Sequence, residues 1–216
     1  MSDRSVKYVE FHETKNGARL KRWGTKEFAS GTIEIGEIKK PNEFSANLSA
    51  IFKPLGIKHI VSALPEERAY ISVMTLPRAE KEEIREAVEL GLPEKIPLPA
   101  GETIFDFEFM PHSGEAIDGG RIREDQAHND AVVYAFPKAV AQTYLDVYLN
   151  AGLRPMSFAM ETVALSRALI PENEDGAPAM IVDFGKTRTT FVIVSGGLVR
   201  FSSTVNVAGE SLDKAI

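Results

Sequence analysis

Ile181-Val182-Asp183-Phe184-Gly185-Lys186-Thr187-Arg188-Thr189-Thr190, continuing into Phe191-Val192-Ile193-Val194, is the stretch on which the reading of this chain turns. An apolar strand brings an Asp and a Gly to a tight turn, small hydroxyl residues follow, and a second apolar strand leaves antiparallel. Backbone N–H groups freed by Gly and short hydroxyl side chains can ring an anion, and a carboxylate at the strand end can hold the water shell of Mg²⁺. Asp-x-Gly is also ordinary hairpin chemistry. The stretch alone therefore fits a phosphate cradle and a plain turn equally well.

Composition narrows the classes around it. The 216 residues suffice for one large or two small domains, and 44% hydrophobic with 26% charged residues is the balance of a folded protein. No apolar run approaches the roughly 18 residues of a membrane span, and no basic-then-apolar leader opens the chain. With no Cys, disulfides and thiolate metal sites are excluded, which fits a cytoplasmic protein. Net charge of −6, with no Arg/Lys run interleaved with aromatics, disfavours nucleic acid as a partner. His12, His59, His112 and His128 lack zinc spacing. The serine-hydrolase elbow and the P-loop are both missing.

Along the chain, Val6 to Glu13 and Ala18 to Phe28 predict a hairpin about Asn16-Gly17, and Glu34 to Glu37 is expected to extend that meander. Phe44, Leu48, Ile51, Phe52 and Leu55 recur at helical spacing, with Gly56 as the stop. His59 to Ala63 and Tyr70 to Leu76 read as strands. Pro77 is expected to cap a helix with Ile84, Ala87, Val88 and Leu92 inward. Ile96-Pro97-Leu98-Pro99 is a rigid connector. Phe105, Phe107 and Phe109 alternate on a strand over Thr103 to Met110 and are expected in the core, whereas His112 to Asp130 reads as a loop. An apolar strand, Ala131 to Phe136, is followed by a helix, Ala139 to Ala151, with Val140, Tyr144, Val147 and Tyr148 inward. Pro155 to Ala159 is a strand and Glu161 to Leu169 a short helix, and Pro171 to Pro178 is a boundary loop. Interleaved helices and strands, several of them hairpin-linked, define an α/β class with a mixed sheet.

The N-terminus repeats half of the opening stretch. With Ser2 set against Gly185, Lys7 falls opposite Thr190, Tyr8 on Phe191 and Val9 on Val192, while Met1 takes the place of Phe184. The copy consists of a short polar loop and an outgoing strand, as though an internal duplication had lost its first incoming strand. Asp3 reads as a loop or cap residue rather than a base.

Paired hairpins of this kind resemble the actin-like ATPase superfamily. On that resemblance Asp183, Gly185, Thr187 and Thr189 belong to one nucleotide-binding hairpin and Ser2, Ser5 and Lys7 to the other; Asp183 holds Mg²⁺ through water. Lys186 departs from the acidic or small residue often found there. Val61-Ser62-Ala63-Leu64-Pro65, Thr75-Leu76-Pro77, Ile96-Pro97-Leu98-Pro99, Ile104-Phe105-Asp106-Phe107-Glu108, Ala151-Gly152-Leu153-Arg154-Pro155 and Glu161-Thr162-Val163-Ala164-Leu165, in that order, resemble the PilM family, cytoplasmic relatives of FtsA that act in type IV pilus assembly.

The resemblance implies an actin-like, ribonuclease H-like α/β lobe with an inserted subdomain. Residues 1–63 would begin the first subdomain, 64–137 would form the insert, 138–175 would return to the first subdomain, and 176–216 would begin a second lobe. It implies ATP and Mg²⁺ as ligands, the tail of a PilN-like inner-membrane protein as partner, and membrane association only through that partner. A homo-oligomer or filament is left open. The expected function is an adaptor and at most a slow ATPase. The alternatives are an FtsA-like division protein, a type II secretion platform component, or an ATPase or kinase of the superfamily. The chain is expected to be a fragment holding only part of the nucleotide site.

Overall fold

The computed structural model describes residues 3–15, 17–77, 81–110, 128–171 and 177–215. The expected turn residue Asn16, residues 112–127 of the expected loop and most of the boundary loop lie outside the described residues; His128, Asn129 and Asp130, expected in that loop, are strand instead, paired with residues 75–77. Packing divides the chain into two units, one of residues 1–68 and 139–161, the other of 69–138 and 162–216.

In the first unit, strands β1 (Ser5–Thr14) and β2 (Gly17–Glu27) form the expected antiparallel hairpin, with a bulge at Glu10/Phe11. One face of it meets helix α1 (Pro41–Phe52). The Tyr8 ring lies edge-on to Phe52 at 5.3 Å, and Phe28, just past β2, reaches Phe44 at the same separation. Pro41 opens α1, where its missing N–H costs nothing, and Phe44, Leu48 and Phe52 make the buried stripe. Between hairpin and helix the expected extension of the meander does not occur. Residues 33–38 instead form their own two-residue ladder, β3 (Ile33–Glu34) and β4 (Glu37–Ile38), with Ile33 opposite Ile38 and both buried. The cause is a tight turn at Ile35-Gly36, where both residues have positive φ.

Strands β5 (His59–Leu64) and β9 (Arg154–Met160) pair in parallel, and the connection between them runs through residues 65–153. Helix α3 (Lys138–Asn150) buries Ala141, Tyr144, Val147 and Tyr148, so Ala141 takes the inward place expected of Val140. Tyr148 stacks on Phe158 and shares a 2.6 Å hydrogen bond with Ser62 Oγ.

The second unit contains the antiparallel sheet β6 (Tyr70–Pro77), β8 (His128–Pro137) and β7 (Thr103–Phe109), with β8 central. Central position explains why Ala131 to Phe136 read as a continuous apolar run, since all six are buried. Pro77 ends β6 rather than capping the helix. Helix α2 (Lys81–Lys95) lays Ile84, Val88 and Leu92 on Met74, Leu76, Ala131, Val133 and Ala135. Phe105 and Phe107 pack on that core and Phe109 is left exposed at the strand end. Helix α4 (Glu161–Leu169) ties to β7 through Arg167 and Glu108 at 3.2 Å.

Burial pushes the phenols of Tyr148 and Tyr134 up to about 12, against a smaller opposing effect of the Ser62 bond at Tyr148. An unfolded tyrosine ionises near pH 10, so the folded state holds these protons more tightly. Their contribution to stability is complete below about pH 10 and is lost as the pH rises towards about 12, by roughly 2–3 kcal/mol for the deeply buried Tyr148. Tyr148→Phe is therefore expected to flatten the fall of Tm between about pH 10 and 11.5 relative to wild type. An unchanged slope would mean that Tyr148 does not contribute to alkaline unfolding.

Candidate functional site

Strands β10 (Ala179–Phe184), β11 (Thr189–Ser195) and β12 (Leu198–Val205) form an antiparallel meander in the second unit. Asp183 lies opposite Thr190 and Phe184 opposite Thr189, so the quoted stretch is a hairpin whose turn is residues 185–188. Gly185 N–H donates to Arg188 O at 2.9 Å and closes it. A Cβ at position 185 would fall 2.9 Å from that same oxygen, which is why the position needs glycine.

The turn is held from behind. Thr189 is buried and its hydroxyl donates to Val207 O at 2.6 Å, while Thr190 and Thr204 share a 3.0 Å hydroxyl contact across β11 and β12. Past β12, the short helix α5 (Gly209–Asp213) begins against the turn. There, Gly209 N–H donates to Gly185 O at 3.2 Å and Glu210 N–H to Lys186 O at 2.8 Å. Asp183 and Lys186 remain exposed, and Thr187 is half-buried. The hairpin thus offers a solvent-facing carboxylate beside a backbone turn fixed at both ends.

Of the residues singled out from sequence, Asp183, Gly185, Thr187 and Thr189 come together in this one turn. Thr189 gives its proton to the fold. Ser5 and Lys7 sit at the start of β1, half-buried and exposed, in the first unit; Ser2 lies outside the described residues. Asp3 is indeed a loop residue, its carboxylate accepting from Ile35 N–H at 3.1 Å and Gly36 N–H at 3.2 Å. No three His, Asp or Glu side chains gather as a metal-binding group among the described residues, and no helix there is long and apolar enough to cross a membrane. An exposed carboxylate such as that of Asp183 can hold Mg²⁺ through bound water.

Sequence reading missed β12 and its support of the turn. The signal was present in Gly196-Gly197, both at positive φ, between two apolar runs.

The fold, a mixed α/β chain with an Asp-x-Gly hairpin opening a strand meander, is similar to the actin-like fold. The profile described as Type IV pilus assembly protein PilM matches residues 1–216. This chain belongs to the PilM family. Its fold is similar to the PilM–PilN type IV pilus biogenesis complex, with TM-score 0.81 and 18% identity over all of this chain and 62% of that one. It also resembles the cytoplasmic domain of EpsL, an inner-membrane component of the type II secretion system of Vibrio cholerae, at TM-score 0.57 and 11% identity over 95% of this chain and 68% of that one. Ethanolamine utilization protein EutJ from Carboxydothermus hydrogenoformans follows at TM-score 0.54 and 12% identity, over 98% and 52%. No curated protein matches the sequence. The chain thus spans less than two thirds of the length of the PilM chain it resembles.

Proposed function

We propose that this chain serves as a cytoplasmic actin-like adaptor of type IV pilus assembly, docking the tail of a PilN-like inner-membrane protein and reaching the membrane through it. The observation that carries the reading is the match, over the whole chain, to the fold of PilM in a PilM–PilN complex. ATP with Mg²⁺ is the proposed ligand of the β10–β11 turn. Gly185 lets backbone approach the phosphates, and Asp183 orders the water around the cation. An exposed carboxylate beside a glycine turn braced by Val207, Gly209 and Glu210 suits that role, because a rigid turn loses little freedom on binding. Binding and positioning of the nucleotide are the proposed tasks of these residues.

A fluorescent peptide carrying the cytoplasmic tail of the PilN homologue from the same genome is expected to bind the chain in an anisotropy titration, and a scrambled tail is not. Equal binding of the two peptides would sink the adaptor reading. The likeness to EpsL favours one second reading, a type II secretion platform component, for which the tail of that system's own membrane partner would bind instead.

A further inference from the structure

The start of the parallel pair β5 and β9 carries cations that the fold does not use. His59 and Arg154 are register partners there, and Arg154 N–H donates to Lys58 O at 2.6 Å, so the three residues stand together. All three are exposed, and among the described residues none of their side chains has a hydrogen bond or a carboxylate partner. Acids outnumber Lys and Arg in this chain by 31 to 25, and elsewhere cations take them up: Lys21 and Arg22 on Glu10, Lys39 and Arg68 on Glu37, Arg167 on Glu108. Like charges left side by side cost stability. Capping of the adjacent helix does not account for them either. The α3 carbonyls of Val147, Tyr148 and Leu149 are taken by the N–H groups of Ala151, Leu153 and Gly152.

These side chains rim an open pocket of about 640 Å³, lined by Lys58, His59, Leu149, Gly152, Leu153 and Arg154. That volume falls within the span of small-molecule sites, about 300–1,000 Å³. Among the described residues no carboxylate lines it. One wall is apolar and uncluttered. Leu149 is half exposed, Leu153 is buried, and Gly152, at φ +79° where the helix closes, has open space where a Cβ would stand. The rim supplies Arg154 as a planar fork, Lys58 as a point charge and His59 as a ring donor, a set suited to phosphate oxygens.

We propose that this pocket binds an organic phosphate, its phosphate oxygens held by Arg154, Lys58 and His59 and its organic part laid over Leu149 and Gly152. The site lies wholly in the first unit and depends neither on the adaptor reading nor on the β10–β11 turn. Phenyl phosphate titrated into the chain is expected to move the amide NMR signals of residues 58–59 and 149–154, saturating below about 10 mM. Joint replacement Lys58→Gln and Arg154→Gln is expected to weaken binding by about 10-fold or more and to leave Tm equal or higher, because unpaired like charges are removed. Lys53→Gln, an exposed cation outside the pocket, stays within about twofold of wild type. Leu149→Ser weakens phenyl phosphate by about threefold and leaves inorganic phosphate unaffected. Flotation with phosphatidylcholine vesicles, with and without phosphatidylglycerol, then separates the sources of the phosphate. Phenyl phosphate binding together with phosphatidylglycerol-dependent flotation that the double variant loses makes the ligand a lipid headgroup. Phenyl phosphate binding without such flotation makes it a soluble ester, and either result upholds the pocket. Absent or scattered amide shifts, equal binding of phenyl phosphate by wild type and double variant, or flotation without phenyl phosphate binding overturns it.

Discussion

Gly36→Ala is expected to lower Tm by about 5–15 °C, far more than an ordinary surface substitution. Two effects add. The backbone at Gly36 has φ +70°, where an L side chain costs about 1–2 kcal/mol. A Cβ there would also lie 2.7 Å from Pro65 Cβ and 2.8 Å from Pro65 Cγ, and a pyrrolidine ring cannot rotate away as a flexible side chain could. Nor can the turn move easily, because Asp3 holds its N–H groups, and Arg68 and Tyr144 hold its carbonyls. Gly56 supplies the control. It has nearly the same φ, +69°, yet nothing stands within 4 Å of its would-be Cβ, so Gly56→Ala registers the conformational term alone. Thermal unfolding followed by circular dichroism should show Gly36→Ala losing about 1–3 kcal/mol more than Gly56→Ala, the usual range for overpacking. Equal losses would mean that Pro65 yields and the turn is not clamped.

The same turn shows where sequence reading stops. Residues 33–38 look locally like strand, and nothing within them announces an isoleucine at positive φ. The conformation is imposed by Asp3, Arg68 and Tyr144, whose bonds to the turn span between 32 and 108 positions in sequence, and local propensity is blind to such partners. Elements whose causes are local were legible. Glu161–Leu169 is helical over the span its periodicity predicts, and the β1–β2 hairpin pairs as its alternation requires. Ala131 to Phe136 is a central strand because no polar residue interrupts it. Pro77 misled because proline suits both the end of a strand and the start of a helix. At the candidate site, Asp183 and Gly185 could be read directly, as their strand-end and turn positions follow from the pattern around them. The task of the Thr189 hydroxyl could not. It depends on Val207, which comes close only after β12 has turned the chain back.

That division bears on how the site should respond to substitution. Asp183 is exposed at the end of β10, and its side chain is not part of the bracing that fixes the turn. Asp183→Ala should therefore leave Tm nearly unchanged, within the roughly ±0.5 kcal/mol of a surface replacement. If Asp183 orders the water shell of Mg²⁺, its loss is expected to weaken Mg²⁺-dependent ATP binding by about 10–100-fold, the usual effect of removing a group that orients a metal's ligands. Calorimetric titration with ATP in Mg²⁺ and in EDTA reads this directly. The wild type should bind more tightly in Mg²⁺, and the variant should bind about equally in both. Thr189→Val tests the opposite case. It removes a buried hydroxyl from Val207 O, so it should lower stability by about 1–3 kcal/mol and reduce ATP binding only as the turn loosens. If Asp183→Ala kept the full Mg²⁺ dependence, the metal would have to be held elsewhere, and this hairpin would be a structural turn of the meander.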